Sequence, residues 1–159
     1  MGSRWCQAGW WPERLGRSLG DRAITLVTAG ILVEQGRILI CQRRAGARFG
    51  LKWEFPGGKV ETGESPETCL RRELSEELCV EAEVGPEIYR TQHRYADGLA
   101  VRLLFFRVLR YTGTLTNRVF ERIEWAHVTD LSHFDFLEAD RGLVERMVHG
   151  EIDLTARSR

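Results

Sequence analysis

The sequence has no surplus of charge. Its 23 lysines and arginines are matched by 23 aspartates and glutamates, so the formal net charge is zero. A protein that grips nucleic acid by its phosphates needs a basic excess, so the balance argues against a nucleic-acid polymer as partner. It leaves open a small anion whose charge a metal ion balances locally. Long apolar runs are also missing. None approaches the roughly 18 residues of a membrane span, and no membrane partner is expected. Cysteine is scarce, and Cys6, Cys41, Cys69 and Cys79 show no CxxC spacing. Cys41 lies in an apolar run and Cys69 in a helical one, which predicts buried, reduced thiols and a cytoplasmic protein. Repeats, low-complexity segments and linkers are absent as well, so one domain is expected.

What is present is an ordinary globular composition, 43% hydrophobic and 29% charged. Residues 1–22 show neither alternation nor helical period and read as a loosely ordered tail, despite Trp5, Trp10 and Trp11. The folded domain is expected over 23–150, followed by a short tail, 151–159. Residues 24–33 are rich in β-branched side chains and predict a strand, with a turn at Gly36 and a return strand over 37–44. A glycine-punctuated loop leads to WEFPGG, a short strand that must stop at Pro56. Two long strands are expected over 80–95 and 100–111, a further strand over 123–128, and a closing helix over 136–148.

The stretch Gly57 to Val80 carries the chemistry. Ser65 is a good N-cap, Pro66 suits the first helical position, and Glu67 falls in the first turn, where the helix dipole favours it. Leu70, Leu74 and Leu78 form an apolar stripe. At 100° per residue, Glu73, Glu76 and Glu77 fall within roughly 100° of arc on an adjacent face. Glutamate-rich helical faces are often simply solvated. Three carboxylates this close become favourable, however, when a hard cation sits among them, and Mg²⁺ or Mn²⁺ suits all-oxygen ligands. Gly57 and Gly58 allow close backbone approach to a metal or phosphates, with Lys59 and Arg72 adding positive charge.

These residues resemble the Nudix box, G-x5-E-x7-R-E-U-x-E-E-x-G-U, where U is a bulky apolar residue. Gly58, Glu64, Arg72, Glu73, Leu74, Glu76, Glu77 and Val80 stand at its positions. The resemblance implies an α/β Nudix fold, a mixed β-sheet sandwiched between α-helices, and Mg²⁺-dependent hydrolysis (with Mn²⁺ as a substitute) of a nucleoside diphosphate linked to another moiety. It implies that Glu73, Glu76 and Glu77 hold or work around the metal, that the Gly58 carbonyl is a further ligand, and that Glu64 and Arg72 brace the loop-helix junction. One position departs from the pattern: Cys79 stands where the family has a glycine in left-handed conformation.

The flanks, over residues 24–148, are similar to MutT-type enzymes, which hydrolyse oxidised purine nucleoside triphosphates such as 8-oxo-dGTP to the monophosphate and pyrophosphate. By this resemblance Arg43 or Arg44 reaches phosphates or the base, and Phe55 packs on the base. Asp140 stands where these enzymes place an asparagine that reads the purine edge. Ionised, it only accepts hydrogen bonds. The family often adds a glutamate from the loop before the strand holding Trp125. Glu121 and Glu124 are the candidates, with Glu121 favoured as a metal ligand, and Glu73 or Glu121 takes the proton of the attacking water. Alternative substrates are CTP or 5-methyl-dCTP, ADP-ribose and dinucleoside polyphosphates. A non-catalytic nucleotide-binding module is the alternative of another class. A monomer or homodimer is expected.

Overall fold

The structure is a computed structural model in which residues 23–155 are described. The expected N-terminal tail, 1–22, lies outside the described residues. Strand β1 (Thr25–Ile31) runs parallel to β7 (Ala100–Thr112) and antiparallel to β5 (Gly57–Lys59). The long β6 (Glu81–Arg94) pairs antiparallel with β7 and forms one edge, giving a four-stranded mixed sheet in the order β5-β1-β7-β6. A second sheet has β3 (Arg37–Gln42) at its centre, flanked by β2 (Val33–Glu34), β4 (Trp53–Glu54) and β8 (Arg122–His127). Helix α1 (Pro66–Leu78) packs on β1, β5 and β6. Helix α2 (Glu138–Val148) packs on β6 and a 3₁₀ turn, Val128–His133.

Alternation along the strands explains why both faces are covered. On β1, Val27, Ala29 and Ile31 join Phe105, Phe136 and Leu143 in the layer beneath α2. Leu39, Leu104 and Phe106 face the other way and pack with Leu70, Leu74 and Leu78 of α1. The leucine stripe is fully buried, so the expected sheet between helices is what forms.

Three features differ from expectation. WEFPGG is not one strand: Trp53–Glu54 pairs with β3 in the second sheet, and Gly57–Lys59 pairs with β1 in the first. Pro56 cannot donate to a ladder, and it sits at the crossing point while its carbonyl accepts from Gly30 N–H at 2.8 Å. The expected strand over 80–95 is bulged around Gly85 and Pro86. The C-terminal end is no free tail as far as it is described, because Ile152 and Leu154 pack against the core.

Candidate active site

Helix α1 starts and stops as its residues dictate. Ser65 Oγ accepts from Thr68 N–H at 3.1 Å, and Pro66 opens the helix. At its end Cys79 adopts the left-handed conformation, φ 60° and ψ 31°, with its N–H on the Ser75 carbonyl. The helix therefore ends as the glycine of the family pattern would end it, at a steric cost of about 1 kcal/mol. The 113–121 loop docks on this end. Thr116 and Arg118 give their N–H groups to the Leu78 and Glu77 carbonyls at 2.9 and 3.0 Å.

The glutamates of α1 have unequal surroundings. Arg72 holds Glu64 at two points, 2.7 Å from Nη2 and 3.2 Å from Nε, and its Nη1 reaches Glu73 Oε1 at 2.8 Å. This bonding holds the Glu64 carboxyl down at about 2. Burial pushes Glu73 up to about 7, against the pull of Arg72. Glu76 is exposed, its Oε2 lying 3.6 Å from Arg72. Glu77 is buried, and its Oε2 accepts from Gly57 N–H at 3.3 Å. Burial first, then the charges of Glu73 and Glu54, raise its pKa well above the ordinary value. Among the described residues no lysine or arginine forms an ion pair with Glu77.

The glycine loop closes this face. A Cβ on Gly58 would fall 2.4 Å from Glu73 Cδ. The Gly58 carbonyl, expected as a metal ligand, is turned the other way. Gly58 pairs with Thr28 across the β1–β5 ladder, and its carbonyl lies 3.4 Å from Thr28 Oγ1 and 3.6 Å from Cys69 Sγ, both in the interior. The backbone group that does face Glu77 belongs to Gly57. Lys59 is exposed on the same strand.

A second set of charges lies beneath β4. Arg43 is buried and its Nη1 holds both oxygens of Glu54, at 3.1 and 3.0 Å, while Nε donates to the Arg48 carbonyl. Of the two arginines expected to reach phosphates or the base, Arg43 has its guanidinium turned into the fold, beside Glu54 and Asp140. Arg44 is exposed and gives its Nε to the Val119 carbonyl at 2.8 Å. Asp140, in the first turn of α2, is buried near Glu54 and Arg43. Burial and the neighbouring Glu54 charge raise its carboxyl well above the usual range, against the pull of Arg43. Phe55, expected on the base, is a core residue, stacked on Phe136 at 5.3 Å and edge-on to Phe105 at 6.1 Å. Glu121 is exposed and accepts from Ala45 N–H at 3.4 Å.

Among the described residues no three His, Cys, Asp or Glu side chains converge into a ready-made metal cage. The α1 face nonetheless fits a divalent cation. Glu73 and Glu77 are both buried, burial raises the cost of ionising each, the Glu73 charge adds to it at Glu77, and a hard cation with oxygen ligands would relieve that excess. Glu54 was missed in the sequence. Its one signal is a charged residue inside the apolar run WEF, two residues before Pro56.

Comparison with known proteins agrees with this geometry. The NUDIX domain family model matches residues 24–147. The chain is 36% identical over 119 residues to the CTP pyrophosphohydrolase of Escherichia coli, covering 75% of this chain and 87% of that protein. It is 34% identical over 131 residues to the 8-oxo-dGTP diphosphatase of Haemophilus influenzae, covering 81% and 95%. The solution structure of the E. coli ORF135 protein superposes with a TM-score of 0.73 at 33% identity, covering 85% of this chain and 96% of that one. Family model, relatives and fold agree: the chain belongs to the Nudix family and is a Nudix hydrolase.

Proposed function

We propose that the chain hydrolyses nucleoside triphosphates to the monophosphate and pyrophosphate, with an oxidised purine such as 8-oxo-dGTP as substrate, and so clears damaged nucleotides from the cytoplasmic pool. The carrying observation is Glu77, a buried carboxylate beside Glu73 with no ion-pair partner among the described residues. Mg²⁺, or Mn²⁺ in its place, would be held by Glu73, Glu76 and Glu77, and supplies positive charge to the phosphates and acidity to a bound water. Glu64 and Arg72 keep the glycine loop and α1 in register. Glu73, pushed up to about 7, is suited to take a proton near neutral pH. Glu121 is the second candidate for that role, and Arg44 and Lys59, both exposed, would meet the phosphate chain.

Asp140 and Glu54 read the base. In its protonated form Asp140 would put one donor beside one acceptor, which matches the N1–H and O6 edge of guanine, and Glu54, held by Arg43, would add an acceptor. The same pair on Asp140 matches N3 and N4 of cytosine. Together with the likeness to a CTP pyrophosphohydrolase, this supports CTP or 5-methyl-dCTP as the second reading.

Pyrophosphate release from 8-oxo-dGTP, dGTP, CTP, 5-methyl-dCTP and ADP-ribose tests the proposal. The expected result is fastest turnover of 8-oxo-dGTP, with pyrophosphate and monophosphate in equal amounts. Fastest turnover of CTP favours the second reading. Release of orthophosphate alone contradicts the predicted bond.

A further inference from the structure

Among the described residues the buried polar side chains are the two charged sets and one hydroxyl, Thr28. It lies midway along β1 between the apolar Val27 and Ala29, where a valine would have the same branched shape. A buried hydroxyl is costly unless bonded, so its partners show what it holds. Thr28 Oγ1 has two, the Gly58 carbonyl and Cys69 Sγ, each at 3.4 Å. Cys69, in the first turns of α1, is fully buried as well. Burial pushes its thiol up to about 12, so it stays protonated and can donate. Its Sγ lies 3.3 Å from the Lys59 carbonyl and 3.6 Å from the Gly58 carbonyl. Arg72 reaches the same place from outside. Its Nη2 gives to the Lys59 carbonyl at 3.4 Å and to Cys69 Sγ at 3.6 Å, while it holds Glu64. One hydroxyl, one thiol and one guanidinium thus close on the two carbonyls that end the glycine loop.

The β1–β5 register shows what this contact fixes. Gly30 N–H bonds the Pro56 carbonyl at 2.8 Å, and Val60 N–H bonds the Leu26 carbonyl at 3.0 Å. Thr28 and Gly58 face each other midway between those bonds, so they too form a hydrogen-bonded pair. Gly57 faces Ala29 at the intervening position, and its N–H is turned away from β1. That N–H is the one that meets Glu77 Oε2 at 3.3 Å. The same stretch is pressed against Glu73, since a Cβ on Gly58 would fall 2.4 Å from Glu73 Cδ. Strand β5 is three residues long and lies at the edge of its sheet, so a single ladder holds it. Thr28 and Cys69 add a tie to α1, the helix that carries the glutamates.

We propose that Thr28 and Cys69 are the inner half of the brace whose outer half is Glu64 and Arg72, and that they set the spacing between the glycine loop and the metal-holding face of α1. This rests on the metal-dependent reading above. Neither residue touches substrate or metal; both are positioning residues. Gly57 N–H holds Glu77 and Gly58 packs on Glu73, so a loop that drifts from α1 leaves both carboxylates less fixed for the ion. The Thr28 hydroxyl reaches α1 through Cys69, so the two act as one unit.

Two readouts on the full chain test the inference: amide exchange of Gly57 in metal-free protein, and calorimetric titration of Mn²⁺. Thr28→Val and Cys69→Ala are each expected to speed Gly57 exchange by about fivefold or more and to weaken Mn²⁺ binding by about tenfold. Thr28→Ser and Cys69→Ser keep a donor and are expected to stay within about threefold of wild type on both readouts. A variant carrying both Thr28→Val and Cys69→Ala is expected to lose no more than the worse single one. Circular dichroism checks folding, and Thr28→Val, which keeps the side-chain shape, carries the test if Cys69→Ala does not fold. Wild-type exchange and Mn²⁺ affinity in Thr28→Val, or equal losses in Thr28→Val and Thr28→Ser, would overturn the proposal. A lower melting temperature with both readouts unchanged leaves a structural role only and overturns it as well. No Mn²⁺ binding by the wild type would overturn it together with the metal reading. If the variants behave as expected while the wild type releases no pyrophosphate from any triphosphate, the hydrolytic reading fails and the brace stands.

Discussion

The molecule buries two sets of carboxylates and neutralises them differently. On α1, Arg72 serves Glu64 and Glu73, and Glu77 lies deeper with only the Gly57 N–H as a close partner among the described residues. Beneath β4, Glu54 has its own cation in Arg43, and Asp140 is buried beside this pair. The first set has one cation for several carboxylates, with Glu77 outside its reach, and suits a metal with phosphates. The second is balanced from inside and suits an uncharged base. The same side-chain chemistry thus does two jobs, set by whether the fold supplies the counter-charge.

The largest expected effect would break this comparison directly. Arg43→Ala leaves Glu54 buried without its cation, and a loss of about 3–5 kcal/mol in denaturant unfolding is expected. Glu77→Gln removes a charge that the metal-free fold does not balance, so its unfolding free energy should equal or exceed wild type. If the two variants lose stability alike, the two sets are not different in kind.

An intermediate effect is a pH dependence. Glu73 has a folded-state value raised to about 7, so the folded form binds the proton more tightly than the unfolded one. Its contribution is fully present below the ordinary value near 4.5 and is lost as pH rises through about 7. Metal-free protein should therefore melt a few degrees lower at pH 8 than at pH 6, and Glu73→Gln should flatten that slope. Glu64 runs the other way. Its stability is present above about 4.5 and is lost only as pH falls towards about 2, outside this window. A slope unchanged by Glu73→Gln would assign the titration elsewhere. The smallest effect is local: Cys79→Gly should gain roughly 0.5–1 kcal/mol by relieving the left-handed conformation, with activity unchanged.

Helix α1 was almost wholly legible in the sequence. Its cap, first proline, leucine stripe and glutamate face all depend on neighbours within two turns, and such local rules act on sequence spacing. The base-side set was not legible. Arg43 and Glu54 meet only because Gln42 pairs with Trp53 across the β3–β4 ladder, a register that no short window contains. Asp140 was visible as a position, but the raised affinity of its carboxyl for a proton follows from burial beside Glu54, a tertiary fact. The Gly58 carbonyl points inward because WEFPGG changes sheets at Pro56, and a single-strand reading of that run places it wrongly. Phe55 had an ordinary core role that its strand setting already suggested.

The central claim is that Glu77, on the unbalanced face of α1, holds the divalent metal on which triphosphate hydrolysis depends. Calorimetric titration of Mn²⁺ into wild-type and Glu77→Gln protein, paired with pyrophosphate release in Mg²⁺, tests it most directly. The account predicts folded Glu77→Gln protein whose metal affinity falls at least tenfold and whose kcat falls by about three orders of magnitude. Wild-type metal affinity together with wild-type turnover in that variant would contradict it.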